Sequence, residues 1–166
     1  MATTDNLREA FAGESQANRK YLAFAKKAEA EGYPQIAKLF RAAAEAETVH
    51  AHAHLRVMKG VASTLENVQA AIAGEGYEYQ KMYPEFLKAA EAERNQPAVV
   101  TFENALAVEE THHKLYSDAL DALKAGKDLP GASIYVCPVC GHTVIGGAPH
   151  QCPVCGTPKD RFFEVK

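Results

Sequence analysis

The chain has 166 residues, enough for one ordinary domain or a medium domain with a small companion. Its 18 Lys and Arg against 21 Asp and Glu leave a formal net charge of −3 and a sequence pI near 6.2, which argues against a nucleic-acid binder with a basic patch. Apolar residues make up 47%, no apolar run reaches membrane-spanning length, and the opening MATTDNLREAF lacks the basic and apolar regions of an export signal. The expected compartment is the cytoplasm, with neither nucleic acid nor membrane as partner.

Four long helices are expected up to residue 125. The first covers about 4–31 and ends at Gly32, where Tyr33-Pro34 opens the second, about 35–59, which stops at Gly60. Ser63-Thr64-Leu65-Glu66 spells a capping box, so the third starts near 65 and continues to about 93, with Pro84 expected to kink or split it. Asn95 caps the fourth, Pro97 lies in its first turn and Gly126 closes it. Each has an apolar stripe at helical spacing: Leu7, Phe11, Tyr21 and Phe24; Ile36, Leu39, Phe40, Val57 and Met58; Val68, Ile72, Tyr79, Met82 and Phe86; Val99, Phe102, Leu106, Tyr116, Leu120 and Leu123. Four such helices make an all-α four-helix bundle. The polar stretch GKDLPGAS, residues 126–133, reads as a linker, and all four Cys follow it, so the chain divides into 1–130 and 131–166.

The stripes are interrupted by charge at mid-helix. Glu14 follows Phe11 by three, Glu47 and His50 lie in line with Phe40 and Met58, Glu75 and Glu78 follow Ile72 by three and six, and Glu109 and His112 fall between Leu106 and Tyr116. Any one such Glu is more often an ordinary surface residue; the argument here is collective. Glu14 stands 18 residues before Gly32 and Glu47 15 after it, while Glu78 stands 17 before Asn95 and Glu109 14 after it, so antiparallel hairpins bring each pair to nearly one height. Burying five carboxylates without cations costs several kcal/mol each or forces protonation. Two divalent metals nearly cancel that charge, and an oxygen and imidazole donor set suits iron or manganese. Two Glu-x-x-His motifs, Glu47–His50 and Glu109–His112, with carboxylates on the partner helices, form the pattern of ferritin-like di-iron bundles. His52, His54 and His113 are not needed and are expected at the surface.

Cys137-Pro-Val-Cys140 and Cys152-Pro-Val-Cys155, with eleven residues between Cys140 and Cys152, make two knuckles of a tetrahedral four-thiolate site for one iron or a zinc. A segment of this size cannot bury enough surface to fold alone, so metal must hold it. Two disulfides are the alternative, disfavoured in a reducing compartment.

Over essentially its whole length the chain resembles the rubrerythrin family. Phe11-Ala-Gly-Glu14-Ser-Gln-Ala is similar to that family's first-ligand motif, Glu75-Gly-Tyr-Glu78-Tyr and Met82-Tyr83-Pro84-Glu85-Phe86 to its third-helix signature, and GGAPHQCPVCGTPKDRFFEV to its rubredoxin-like ending. His142 departs from the pattern, where Tyr is more usual. The resemblance implies that Glu47 and Glu109 bridge two irons, that Glu14 is terminal on one, and that Glu75 and His112 serve the other. Glu78 and His50 would compete for the first iron, the carboxylate favoured when it is oxidised. Tyr21 and Tyr83 match tyrosines that hydrogen-bond near such a site; their plainer reading is core packing.

The implied reaction is reduction of hydrogen peroxide to water, with the four-cysteine iron relaying electrons from an external NAD(P)H-linked reductase or rubredoxin. A ferroxidase or iron-storage protein is the alternative on the same bundle. A zinc-ribbon interaction module and a pure electron carrier stand further off. In the ferritin-like topology helices 2 and 3 are parallel. A 25-residue helix is about 38 Å long, whereas the link Val61–Ser63 spans only about 10–14 Å. The bundle is therefore either up-down-up-down, or completed by a homodimer swapped between helices 2 and 3.

Overall fold

A computed structural model describes residues 2–166. The helices are α1 (Thr3–Ala30), α2 (Pro34–Val57), α3 (Thr64–Tyr77), α4 (Tyr83–Ala92) and α5 (Gln96–Lys124), with a π-helical turn, Glu78–Met82, between α3 and α4. Three short strands follow: β1 (Ile134–Val136), β2 (Thr143–Ile145) and β3 (Phe163–Val165). Four helical rods and a small C-terminal strand-and-loop module are the architecture expected from the sequence. Packing groups the residues into one unit ending at Ala62 and another running Ser63–Lys166.

In the first unit α1 reverses into α2 at Gly32, whose φ of +82° suits a residue without a Cβ. Pro34 opens α2, where its missing N–H costs nothing. The two helices meet through small buried residues, Ala25 and Ala28 against Ala37, Ala44 and Ala51, which let the rods approach closely. Asn18 fixes their register: its Nδ2 donates to the Ala44 carbonyl at 2.8 Å and to Thr48 Oγ1 at 2.9 Å.

In the second unit both expected caps form. Ser63 Oγ accepts the Glu66 N–H at 3.3 Å while the Glu66 carboxylate accepts the Ser63 N–H at 3.0 Å, and Asn95 Oδ1 accepts the Ala98 N–H at 3.3 Å. The third helix is split, as Pro84 implies. It breaks at Glu78, six residues before Pro84. Pro84 has no N–H to offer the carbonyl of Gln80, and the Tyr83 N–H reaches back five residues to the Glu78 carbonyl. Both α3 and α4 pack on α5.

The module's sheet has the order β2-β1-β3, antiparallel throughout, with Tyr135 between Val144 and Glu164. Strands of three residues bury little. Cys137, at 1% exposure, is the largest nearly enclosed side chain among the described residues.

The two helical hairpins are near copies. Tyr21, Phe24 and Phe40 form a ring cluster with centroids 5.6–6.2 Å apart; Tyr83, Phe86 and Phe102, at the same sequence offsets, form one with 5.7–6.3 Å. Phe40 lies seven residues before Glu47, as Phe102 does before Glu109. Glu14 lies seven before Tyr21, but Glu75 lies eight before Tyr83, and the π turn accommodates the additional residue.

Candidate metal centres

In the first unit Glu14 of α1 and Glu47 and His50 of α2 converge, with one donor atom from each mutually within 4.8 Å. His50 Nδ1 lies 3.0 Å from Glu47 Oε2 and 3.9 Å from Glu14 Oε1. The i, i+3 spacing puts Glu47 and His50 on one helix face. Glu47 is mostly buried, whereas His50 is exposed.

The second unit repeats the arrangement with Glu75 of α3 and Glu109 and His112 of α5. His112 Nδ1 lies 2.8 Å from Glu109 Oε2 and 3.7 Å from Glu75 Oε2. Glu78 starts the π turn, and its charge and those of Glu75 and Glu109 are all felt at Tyr83. Burial, hydrogen bonding to Glu109 and the Glu109 and Glu78 charges push the Glu75 carboxyl up to about 7. Burial and then Glu109 push Glu78 up as well, with His112 opposing. Burial and the three carboxylates likewise hold the Tyr83 hydroxyl above its usual range. Each shift reports negative charge with too little counter-charge. Cations among these oxygens would relieve all three, so the residues fit a divalent metal pair.

The four cysteines are free thiols drawn into one cage. Cys137 Sγ lies 3.6 Å from Cys155 Sγ, and Cys140 Sγ lies 3.5 Å from Cys152 Sγ. A disulfide needs about 2.0 Å, and a tetrahedral thiolate site with bonds of about 2.3 Å has edges of about 3.8 Å. The spacing fits a metal cage. Burial alone would raise the Cys137 thiol, but N–H groups of Cys140 and Val139 and the side chains of Thr157 and Cys155 bring it down to about 6. Burial raises Cys140 and Cys152. A bound cation would hold all four as thiolates.

The module meets α5 through β2, just after its first knuckle. Thr143 Oγ1 lies 3.0 Å from His112 Nε2 and donates to the Gly141 carbonyl at 3.1 Å. Beside it a cavity of about 350 Å³ is lined by Glu75, His112, Tyr116, Ile134, Thr143 and Ile145, among others. His142 Nδ1 is buried without a partner, and burial, with His112 nearby, lowers the His142 pKa.

Each residue expected as a metal ligand thus lies in or beside one of three clusters. Tyr21 and Tyr83 sit in the two ring clusters, so their packing role is visible. His52 is exposed as expected, but His54 and His113 are half-buried. His113 packs on Gly76, where a Cβ would come within 3.3 Å of its ring, and on Tyr79 at 5.3 Å. Thr143 escaped sequence reasoning, since a lone Thr after a knuckle carries no pattern.

A family model described as Rubrerythrin matches residues 5–120, and one described as Rubrerythrin, rubredoxin-like domain, matches residues 135–163. The chain is 40% identical to "Rubrerythrin-2" of Clostridium acetobutylicum, over 96% of this chain and 95% of that one. It is 35% identical to "Nigerythrin" of Nitratidesulfovibrio vulgaris, over 97% and 85%. Solved structures of nigerythrin, one in a mixed-valence and one in an all-ferrous state, align with a TM-score of 0.59 at 35% identity, covering 99% of this chain and 87% of theirs.

Proposed function

Because the chain belongs to the rubrerythrin family and carries its rubredoxin-like module, we propose that it is a peroxidase reducing hydrogen peroxide to water at a di-iron site. The observation that carries this reading is the joint presence of two matched carboxylate–imidazole half-sites and a four-thiolate cage in one chain. Glu47 and Glu109 would bridge the metals, Glu14 would be terminal on one, and Glu75 and His112 would hold the other. Glu78 and His50 are alternative donors for one position, and the exposure of His50 leaves it room to move. An iron pair held by these residues would supply two electrons to the O–O bond, and an iron held by Cys137, Cys140, Cys152 and Cys155 would return them singly from a reductase or rubredoxin fed by NAD(P)H. Two protons complete the balance, giving two waters. Tyr83, set beside Glu75, Glu78 and Glu109, stays protonated and can donate a hydrogen bond to a peroxide oxygen, and the Tyr21 hydroxyl would offer a second hydrogen bond from the other hairpin. In this reading the functional division is 1–130 and 131–166 and the protein works in the cytoplasm. Among the described residues no helix is long and apolar enough to cross a membrane.

The working unit in this reading is a homodimer with hairpins exchanged. Residues 58–63 reach at most about 25 Å, whereas the 24-residue α2 is about 36 Å long. One chain therefore lacks the reach for a crossover along the bundle. Large apolar side chains of both hairpins stay exposed in the single chain, Leu39 at 68%, Phe24 at 46% and Phe86 at 44%, as expected of surfaces that a second copy covers. Each di-iron site would join Glu14, Glu47 and His50 of one copy to Glu75, Glu78, Glu109 and His112 of the other.

Anaerobic mixing of reduced, iron-loaded protein with peroxide tests the chemistry. Rapid reoxidation with peroxide consumed one-for-one per iron pair is expected. Inertness to peroxide, with dioxygen-driven accumulation of many irons per chain, would establish the ferroxidase alternative instead. Co-expressing a Glu14→Ala chain with a Glu109→Ala chain tests the exchange. With swapped hairpins about a quarter of the sites regain all their ligands at random pairing; without exchange none does.

A further inference from the structure

The Thr143 hydroxyl has one proton, and the Gly141 carbonyl takes it, because a carbonyl can only accept. Toward His112 Nε2, 3.0 Å away, the hydroxyl must therefore accept. Nε2 then carries a hydrogen, and in that tautomer the lone pair of Nδ1 faces Glu109 and Glu75, at 2.8 and 3.7 Å. A lone pair facing carboxylate oxygens is repulsive without a cation between them and is the donor geometry with one. Thr143 is itself held by the cage: the His142 N–H donates to Cys140 Sγ at 3.5 Å, and Gly141, the acceptor of the Thr143 proton, adjoins Cys140.

We propose that Thr143 is a positioning residue through which the four-cysteine module fixes the tautomer and orientation of His112 and so tightens divalent-cation binding at Glu75, Glu109 and His112. The connection lies within one chain: Cys140, the Gly141 carbonyl, the Thr143 hydroxyl, the His112 ring. It rests on the metal-site reading above and adds to it a reciprocal coupling, in which filling the cage orders residues 140–143 and strengthens the helical site, and the converse. Outer hydrogen-bond partners of ligating imidazoles commonly account for about 10–100-fold in metal affinity.

The test uses the full chain with zinc in the cage, which leaves that site colourless and diamagnetic, and cobalt(II) titrated into the helical site by visible absorption. Thr143→Val should weaken cobalt binding about 10–100-fold, and Thr143→Ser, which keeps the hydroxyl, should stay close to wild type. Nitrogen NMR of the imidazoles in the wild type, with diamagnetic zinc in the helical site as well, should show His112 bound through Nδ1 and carrying its hydrogen on Nε2. That measurement needs no variant to fold. Equal cobalt affinity in Thr143→Val and wild type, or a hydrogen on Nδ1 of zinc-loaded His112, overturns the role of Thr143 alone. Failure of the wild type to bind cobalt overturns the metal-site reading and this inference with it.

Discussion

Removing metal from the helical site should reverse the usual acid sensitivity of a carboxylate-rich protein. Glu75, the most perturbed carboxylate, has its carboxyl raised from 4.5 to about 7 by burial, by its hydrogen bond with Glu109, and by the charges of Glu109 and Glu78. The folded chain then binds that proton more tightly than the unfolded chain, so native protein holds more protons between those two values. The stabilising effect of protonation is complete below 4.5 and is lost as pH rises through about 7. At 1.36 kcal/mol per unit the full shift is worth roughly 3 kcal/mol. About a fifth of the side chain remains wet (21%), and solvent screening reduces the figure to about 1–2 kcal/mol. Urea unfolding of the second unit's helices, followed by circular dichroism in chelator with zinc in the cage, should show that loss between about pH 5 and pH 8. Glu75→Gln, a neutral mimic of the protonated form, should remove it. Divalent metal should invert the trend, since it takes the proton's place and binds better as protons leave. A metal-free protein whose stability is flat or rises across this window, or a Glu75→Gln variant with the wild-type slope, would refute the reasoning.

Cys152→Ser should abolish metal uptake by the cage and unfold the module, because a structural thiolate site supplies about 10–16 kcal/mol that strands of three residues cannot replace. Limited proteolysis should then remove the C-terminal module while α1–α5 persist; a module that stays protected would contradict metal-dependent folding. Asn95→Ala removes the acceptor for the Ala98 N–H and should lower stability by about 1 kcal/mol, read from the urea midpoint, with no change in cage spectrum. His142→Phe keeps a ring but discards a buried nitrogen that has no partner, a group whose desolvation costs about 1–3 kcal/mol. The module should melt at a higher temperature, and a lower one would mean that Nδ1 has a use in the folded protein.

Patterned features were legible in the sequence, and unpatterned ones were not. The caps at Ser63 and Asn95 could be named because capping uses few residue types at fixed offsets. The ligand clusters could be named because carboxylates on an apolar stripe are improbable and recur at matched heights. Pro84 marked the split of the third helix, but its ring constrains only neighbouring residues, so the π register of Glu78–Met82 was not legible from it. His113 was placed outside because a second adjacent His looked redundant, yet the bare backbone of Gly76 makes a slot for it. Thr143 becomes visible only when β2 lies against α5, a contact between segments 31 residues apart.

The residue accommodated at the Glu78–Met82 turn has a consequence for how the two hairpins differ. Inserting a residue into a straight α-helix rotates everything beyond it by about 100° and advances it about 1.5 Å. Tyr83 and Phe86 would then turn away from Phe102, and the ring cluster would not match that of Tyr21, Phe24 and Phe40. A widened turn confines the disturbance to one loop of the spiral. It leaves the aromatic layer in phase and gives the second hairpin a further carboxylate, Glu78, within the field of Glu109, that the first lacks. Two nearly equal halves thereby become inequivalent, and an ion held by one would differ in ligand field from an ion held by the other without any large change of scaffold.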